Sequence, residues 1–319
     1  MEGVIMMRRS LWVLSASLLL AIGSPFLARQ VQETQRDEKA KTPLGTPVVW
    51  HEPSDIALRN LYLGPGGEAM KPDLKKVTFI EEKESVGGAK FRVRDGSGRE
   101  WTVKVGGETQ AEVAASRIVW AVGYYTDVSY LVPRVEIAGK GTVDNARFEA
   151  RSKGIKRLDE WMWEDNPFTG TIELQGLKVL LALLDNWNLK NENNKILFVR
   201  EDEAGRSELR YIISDFDAKF DKTGVSPAMW HNAPGKPAAV KFIDKVKGDL
   251  VDFGYNGRHK ERLADVTVAQ ARWIGSWLAR LTDNQLRDAL RAGNYSADEI
   301  QFLEKTLRSR ISELINLAK

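Results

Sequence analysis

The 319-residue sequence contains no cysteine, only three histidines and no marked excess of one charge. Because cysteine is absent, the chain forms no disulfide, no thiolate metal site and no lipid-modified cysteine. The histidines, His51, His231 and His259, are far apart in the sequence, which argues against a histidine-rich metal site. The 47 basic and 44 acidic residues give a formal net charge of +3, so composition offers no reason to expect a nucleic-acid partner.

The N-terminal residues have the pattern of an export signal. Arg8 and Arg9 precede an apolar run over 11–22 that is short for a membrane span. We therefore expect a signal peptide over 1–28 and an exported protein, periplasmic or secreted. The alternative is an uncleaved signal that anchors the chain, and this segment would then be its only contact with a membrane. The polar and charged residues that follow predict a flexible linker over 29–49.

The order of the hydrophobic patterns predicts an α+β protein with two unequal lobes. Alternating segments joined by glycine-containing turns over 75–107 predict antiparallel strands, and an amphipathic helix is expected over 107–125. The last third is predicted to be helical, with Ser or Thr N-caps such as Thr267. We expect a small lobe, an antiparallel sheet with one helix, over 50–133 and a larger helical lobe over 134–319.

A glycine pair marks the first of four local patterns. Gly87 and Gly88 lie between two predicted strands, and Lys90 follows closely. Glycines in such a turn let backbone amides approach phosphates, and Lys90 would add positive charge. A plain hairpin turn is the simpler interpretation, since the spacing is not the usual G-x-G-x-x-G.

The second and third patterns are a lysine on a strand and a glutamate on the next helix. In "WTVKVG" the strand alternation places Lys104 on the face opposite the apolar side chains. Glu112 follows in the predicted helix, beside its apolar stripe, and Glu108 is a rival on nearly the same stripe. Taken separately, a solvated lysine and a surface glutamate are the simpler interpretations.

The fourth and most specific pattern is a pair of polar motifs on either side of a predicted hairpin. "NLKNEN", at 188–193, precedes two strand-like segments, and "SDFD", at 214–217, follows them. A charged turn that contains Gly205 separates the two segments. A strand that ends in a capped acidic turn is the simpler interpretation of the second motif.

The positions that carry a resemblance to the protein-kinase-like superfamily are, in chain order, Lys104, Glu112, Asn193 and Asp215. The sequence is more similar to the divergent bacterial branch with HipA-type and secreted Golgi-kinase-type members than to typical protein kinases. It also resembles an uncharacterised group of exported bacterial proteins, whose motifs run like "VKxG…EVxASRLVWAxGY", matched at 103–124, and "NWDLKxxNN", matched at 186–194. The resemblance covers about 50–319.

The resemblance implies a bilobal protein-kinase-like fold that binds ATP or another nucleotide together with one or two Mg²⁺ ions. The implied cofactor-binding residues are Gly87, Gly88, Lys90, Lys104 and Glu112, and the implied metal ligands are Asn193 and Asp215. The chain departs from the usual pattern in having no His-Arg before the loop and no Ala-Pro-Glu after Asp215, and in having Asp217 in place of the glycine of Asp-Phe-Gly. An activation segment of the usual kind is therefore not expected.

The most important departure is Asn188, which stands where the resemblance expects the catalytic Asp. An amide cannot take a proton from a hydroxyl, although its carbonyl oxygen can orient one. Asp185 could act as a surrogate base or could instead brace the loop, and Lys190 completes the candidate catalytic set. We therefore expect weak or absent phosphoryl transfer, or alternatively a pseudokinase-type scaffold that binds a partner protein or another ligand outside the cytoplasm.

Overall fold

The computed structural model describes residues 45–84, 88–152, 154–186, 189–200, 206–216, 241–255 and 257–318. The predicted signal peptide and most of the predicted linker lie outside these ranges, and so do Gly87, Asn188 and Asp217. The described residues belong to one unit, Leu44–Lys319. They form an antiparallel-sheet lobe with one helix and a lobe that holds the other helices, which confirms the predicted α+β fold class.

Eleven strands and five α-helices occur in the described residues. The strands are β1 (Thr46–Val48), β2 (Thr78–Lys83), β3 (Ala89–Arg94), β4 (Glu100–Val105), β5 (Ser129–Ile137), β6 (Gly141–Ala150), β7 (Ile155–Arg157), β8 (Asn194–Arg200), β9 (Ser207–Ile213), β10 (Ile243–Lys247) and β11 (Leu250–Phe253). The helices are α1 (Thr109–Ala121), α2 (Ile172–Leu183), α3 (Val268–Leu278), α4 (Asp283–Ala292) and α5 (Ala297–Ile315).

Five strands form the sheet of the small lobe, in the order β2-β3-β4-β6-β5, and every neighbouring pair is antiparallel. Because side chains alternate along a strand, one face of this sheet is apolar and the other is charged. The apolar face builds its own core around Phe91, Trp101, Val103 and Phe148. Lys104 lies on the charged face, as the alternation predicts.

Helix α1 connects β4 to β5 and is buried along most of its length. Small residues such as Ala111, Ala114 and Ala115 are fully buried and allow neighbouring elements to approach closely. The helix packs against α4 and also against β5 and β6. It therefore links the sheet of the small lobe to the helical lobe.

The predicted hairpin after the "NLKNEN" motif is present as β8 and β9. These strands belong to a four-stranded sheet in the order β1-β9-β8-β7, in which β1 runs parallel to β9. Asn194 pairs with Ile213 at the open end of the hairpin. The residues just before β8 and just after β9 are therefore neighbours in space.

The C-terminal helices begin where the sequence predicts. Thr267, Thr282 and Ser296 cap α3, α4 and α5, and each cap is part of a reciprocal capping box with the side chain three residues later. The box satisfies amide groups that the first helical turn leaves without partners. None of the helices in the ranges described is long and apolar enough to cross a membrane.

Two predicted boundaries are wrong. The expected division at 133/134 falls inside β5, and the sheet of the small lobe continues to the end of β6 at Ala150. The sequence pattern of β6 does not indicate a buried strand, because its outer half is exposed and its inner half alternates between apolar and charged residues. The expected linker over 29–49 also ends too late, since β1 pairs with β9 from Thr46. Between β1 and β2, residues Ile56–Leu58 form a 3-10 turn.

Candidate functional site

Lys104 lies at the centre of the candidate site. Its Nζ is 2.6 Å from Glu112 Oε1 in α1 and 3.2 Å from Asp215 Oδ1, which follows β9. Glu108, the rival noted in the sequence, also contacts the ammonium, with Oε1 at 3.1 Å. Strand β4, the helix α1 that follows it and the distant end of β9 therefore bring Lys104, Glu112 and Asp215 together.

A second cation holds the other oxygen of the buried glutamate, because Arg147 Nη1 lies 3.0 Å from Glu112 Oε2. Burial raises the pKa of Glu112 to about 8, with Asp215 adding to the rise and with Arg147 and Lys104 opposing it. Burial would also raise the pKa of Asp215, but the hydrogen bond with Glu112 and the two cations hold that pKa well below its usual range. The two pKa values are therefore shifted in opposite directions, so Asp215 ionises at a lower pH than Glu112.

The two predicted metal ligands are adjacent. Ser214 N and Asp215 N donate to the Asn193 backbone oxygen at 2.8 and 3.3 Å, because the β8–β9 hairpin ends there. Asn193 is buried, whereas the Asp215 side chain is 39% exposed. One carboxylate and one amide oxygen suit Mg²⁺, which usually completes its coordination with water and phosphate oxygens. The described residues contain no cluster of three or more His, Cys, Asp or Glu side chains that could hold a metal by itself.

The loop that contains position 188 is anchored on both sides. The Tyr255 hydroxyl donates to the Asn186 backbone oxygen, and Arg262 donates to the backbone oxygen of the buried Leu189. Asn188 itself lies outside the described residues. Its predicted role therefore stays a prediction, and the contacts described here hold the chain at Asn186 and at Leu189.

Asp185 is held in an ion pair within the helical lobe. Its Oδ2 lies 3.0 Å from Nη1 of Arg310, which also donates to the Leu183 backbone oxygen at 2.6 Å. Asp185 has a positive φ of 51°, so the chain leaves α2 abruptly at this position. These contacts favour the bracing role over the role of surrogate base. Lys190, the remaining candidate, is partly exposed just before the turn Asn191–Asn193.

Backbone geometry alone, without a bound phosphate, explains why residue 88 is a glycine. Its φ is +79°, and a Cβ there would lie 2.4 Å from the Val105 backbone oxygen, so glycine is required for the hairpin to lie against β4. Gly87, its partner in the predicted phosphate-binding turn, lies outside the described residues. Lys90 is the cross-strand partner of Lys104, and burial lowers its pKa. It therefore adds a second lysine to the charged face.

A buried ion-pair network that was not predicted from the sequence continues from Glu112. Through Arg147 the network reaches Glu149, whose Oε2 lies 3.0 Å from Arg147 Nη2 and whose Oε1 lies 2.6 Å from Arg151 Nη1. The Glu149 side chain is only 4% exposed. The sequence pattern that could have revealed this network is "ARFEAR" at 146–151, which places a charge at every second position.

A second polar cluster fixes the residue before Asp215. Ser214 Oγ donates to Asp127 Oδ2 at 2.8 Å and accepts from Arg157 Nη2 at 2.5 Å. Arg157 Nη1 lies 2.6 Å from Asp127 Oδ1. Burial raises the pKa of Asp127, with Glu149 adding to the rise and Arg157 opposing it. The cluster therefore holds the end of β9 against the start of β5.

A cavity of about 650 Å³ lies on the charged face of the small-lobe sheet. It is lined by Lys83, Glu84, Lys90, Arg92, Thr102 and Arg151. None of these side chains is apolar, whereas pockets for small molecules are usually walled by apolar and aromatic groups. The cavity therefore suits anionic groups better than a flat heteroaromatic ring.

The fold and the site define an α+β protein with a kinase-like fold. Its small lobe presents a lysine on the third strand of the five-stranded sheet and a paired glutamate on the next helix. The β8–β9 ribbon separates Asn193 from Asp215.

Among solved structures, the chain is similar to the proinflammatory kinase CtkA of Helicobacter pylori, with 13% identity over 77% of this chain and 96% of that chain and a TM-score of 0.45. It is also similar to the Rio2 kinase of Chaetomium thermophilum in a complex with ADP, Mg²⁺ and phosphoaspartate, with 12% identity over 77% of this chain and 74% of that chain and a TM-score of 0.32. No protein-family model matches the sequence, and no curated protein matches it.

Proposed function

We propose that the cleft around Lys104 binds a nucleotide with Mg²⁺ and transfers its phosphoryl group slowly or not at all. The observation that carries this proposal is the position of the Lys104 ammonium between Glu112 and Asp215. A buried ammonium held by two carboxyl groups is already positioned to bind phosphate oxygens. A bound metal would neutralise the charge of Asp215, and the ammonium would then be available to the phosphate.

Each residue has a defined task in this proposal. Lys104 contacts the phosphates, and Glu112 and Arg147 fix its direction from the side of α1 and β6. Asp215 and Asn193 supply the oxygen ligands for Mg²⁺, which neutralises phosphate charge when it is bound. The hydrogen bonds to the Asn193 backbone oxygen keep the two ligands side by side.

Slow transfer is proposed because Asn188 occupies the position of the base. A positioned base contributes about 10²–10⁴-fold to a rate, and an amide cannot replace it. Asp185 is paired with Arg310, so it is a poor replacement. Binding depends on Lys104 and Asp215 and is therefore expected to survive better than catalysis.

The alternative is a scaffold of the pseudokinase type that binds a partner protein or another ligand. Asn188 favours it, because a scaffold needs no base. We also propose that the chain belongs with the HipA-type and secreted-kinase-like branch and with the exported bacterial group that the motifs at 103–124 and 186–194 resemble. In an exported protein, where ATP is expected to be scarce, a partner protein would be the natural ligand.

Calorimetric titration of the full chain with ATP, in Mg²⁺ and in EDTA, tests nucleotide binding. We expect binding that requires Mg²⁺ and that falls at least about tenfold, or 1.4 kcal/mol, in Lys104→Met and in Asp215→Asn. Lys195→Met is the matched control, since Lys195 forms only a surface pair with Glu160, and it should bind like the wild type. If the folded wild type does not bind ATP, the proposal of nucleotide binding is rejected and the scaffold function is the one that remains.

Export is proposed from Arg8, Arg9 and the apolar run over 11–22. A reporter enzyme that is active only outside the cytoplasm, fused after residue 45, should be active. A reporter that is active only inside the cytoplasm should be silent at the same junction, and activity there would contradict export.

A further inference from the structure

Arg157, Asp127 and Ser214 form a closed set of hydrogen bonds, which we call the Ser214 triangle. Arg157 Nη1 and Nη2 lie 2.6 and 3.4 Å from Asp127 Oδ1 and Oδ2, the parallel arrangement in which a guanidinium binds a carboxylate with both nitrogens. Ser214 Oγ accepts from Arg157 Nη2 at 2.5 Å and donates to Asp127 Oδ2 at 2.8 Å. A hydroxyl has one proton to donate, so these two partners also fix its rotation.

The Ser214 triangle connects the two sheets. Arg157 is the last residue of β7, Asp127 precedes β5, and Ser214 follows β9. Strand β5 belongs to the sheet of the small lobe, whereas β7 and β9 belong to the four-stranded sheet. Arg157 Nη1 also lies 3.5 Å from Oε1 of Glu149, in β6 of the small lobe. The triangle therefore ties the end of β9 to the small lobe.

Asp215 follows Ser214 directly, and the two side chains have different partners. Ser214 belongs to the triangle, whereas Asp215 Oδ1 lies 3.2 Å from Lys104 Nζ. The amides of both residues donate to the Asn193 backbone oxygen. Because the peptide bond between Ser214 and Asp215 is planar, the position of Ser214 fixes the direction in which the chain enters Asp215. The Ser214 triangle therefore restricts where the Asp215 carboxylate can lie.

The triangle and the Lys104–Asp215 pair close one continuous circuit of contacts. From Lys104 the circuit passes through side chains that are paired within 3.5 Å, in the order Glu112, Arg147, Glu149, Arg157, Asp127 and Ser214. A metal ion bound by the Asp215 carboxylate would break the circuit at Lys104. The bonds of the triangle do not involve that carboxylate, so they would persist. After metal binding, the triangle would still tie the residue before Asp215 to the small lobe.

We propose that Arg157 and Asp127 are positioning residues, which act through Ser214 to hold Asp215 where its carboxylate can bind Mg²⁺. This inference rests on the proposed function, because it takes Asp215 as a metal ligand. Neither Arg157 nor Asp127 is assigned a contact with the metal or the nucleotide. Loss of an outer partner that orients a metal ligand typically lowers metal affinity about 10–100-fold. A triangle that only stabilised the fold would leave the metal affinity of the folded protein unchanged.

Ser214→Ala tests this inference, because it removes the hydroxyl and leaves the pair of Arg157 with Asp127 in place. Mn²⁺ is the probe, and electron paramagnetic resonance measures the free ion in the presence of the full chain and saturating ADP. We expect Ser214→Ala to weaken Mn²⁺ binding at least about tenfold. Ser214→Thr keeps a hydroxyl and should restore most of the affinity. Ser207→Ala, at the other end of β9, is the matched control and should bind Mn²⁺ like the wild type.

Arg157→Lys is the second variant. It keeps the positive charge, but an ammonium lacks the planar fork that binds Asp127 and Ser214 together. Its Mn²⁺ affinity should therefore fall to a similar degree as in Ser214→Ala. Arg134→Lys, at the exposed pair with Asp144, is its control and should keep the affinity of the wild type.

Amide hydrogen exchange of the metal-free chain separates the two possible failures. The amides of Ser214 and Asp215 should exchange faster in Ser214→Ala than in the wild type or in Ser207→Ala. If the wild type binds Mn²⁺ and both Ser214→Ala and Arg157→Lys bind it equally well, the inference is overturned and the proposed function stands. If the folded wild type binds no Mn²⁺ with ADP, the proposed function fails, and the exchange rates alone decide whether the triangle holds Asp215. Unchanged exchange in Ser214→Ala would then refute that role.

Discussion

Lys104 Nζ lies 3.2 Å from Asp215 Oδ1, although 111 positions separate the two residues in the sequence. Lys104 belongs to the five-stranded sheet, and Asp215 follows the last strand of the hairpin in the other sheet. The ion pair therefore connects the two lobes across the cleft. A divalent cation bound by Asp215 would compete with Lys104 for the carboxylate and would release the ammonium for phosphate oxygens.

Restoring an acid at position 188 should raise turnover. In Asn188→Asp we expect a phosphoryl-transfer rate about 10²-fold above that of the wild type, because a positioned base contributes about 10²–10⁴-fold. The affinity for the Mg-nucleotide should change little, since Lys104, Asn193 and Asp215 are unaltered. Release of ADP in the presence of Mg-ATP measures the rate.

Asn191→Asp is the matched control for this exchange. Asn191 lies in the same loop, and its side-chain oxygen accepts from the Trp163 backbone amide, which an aspartate can also do. Its rate should equal that of the wild type. A wild type that already turns over at ordinary kinase rates, with no loss in Asp185→Ala, would contradict the argument about the missing base.

Breaking the buried network should cost far more stability than breaking a surface pair. Arg147→Met leaves Glu112 and Glu149 buried without their shared cation, and loss of one partner of a buried pair typically costs about 3–5 kcal/mol. Arg134→Met, in the neighbouring strand, breaks only the exposed pair with Asp144 and should cost about 0–1 kcal/mol. Urea unfolding measures the free energy of unfolding of both variants. Equal losses would show that the buried network contributes no more stability than the surface pair.

The cavity beside Lys104 that is lined by Lys90 and Arg151 has no apolar wall, so we expect a nucleotide that extends into it to be recognised through its phosphates, with little selection of the base. ATP and GTP should bind within about tenfold of each other, or 1.4 kcal/mol. Inorganic triphosphate should compete with both, and adenosine should not compete. Competition by adenosine at concentrations similar to those of ATP would mean that the side chains that line this cavity rearrange around a base.

The sequence alone could predict the centre of the site because its parts lie on regular elements. Alternation along β4 placed Lys104 on the charged face, and the pattern of α1 placed Glu112 beside the apolar stripe. The hairpin between Asn193 and Asp215 followed from two strand-like segments around a charged turn. These features are local, so they do not require knowledge of the tertiary structure.

The rest of the site depends on contacts between segments that are distant in the sequence. Nothing in the local sequence indicates that Arg310, in α5, binds Asp185 after α2. The burial of Arg147 and Glu149 depends on the packing of β6 between β4 and β5, and charged residues in a strand usually indicate exposure.

Acid should destabilise the protein in part through His51. Burial lowers the pKa of His51, and the nearby Arg59 and Arg210 lower it further, while Asp55 opposes them. The Arg59 Nη2 lies 3.3 Å from His51 Nε2. Because the folded pKa lies below the unfolded value of 6.5, the unfolded chain binds more protons as the pH falls through 6.5, and the free energy of unfolding decreases there.

His51→Gln should therefore lose less stability than the wild type between pH 7.5 and pH 5.5, approximately the range in which the unfolded histidine titrates. The measurement is the free energy of unfolding in urea at several pH values, and the difference between the two slopes isolates His51 from the acidic groups that also titrate. Parallel curves for His51→Gln and the wild type would show that His51 accepts its proton as readily in the folded chain as in the unfolded one.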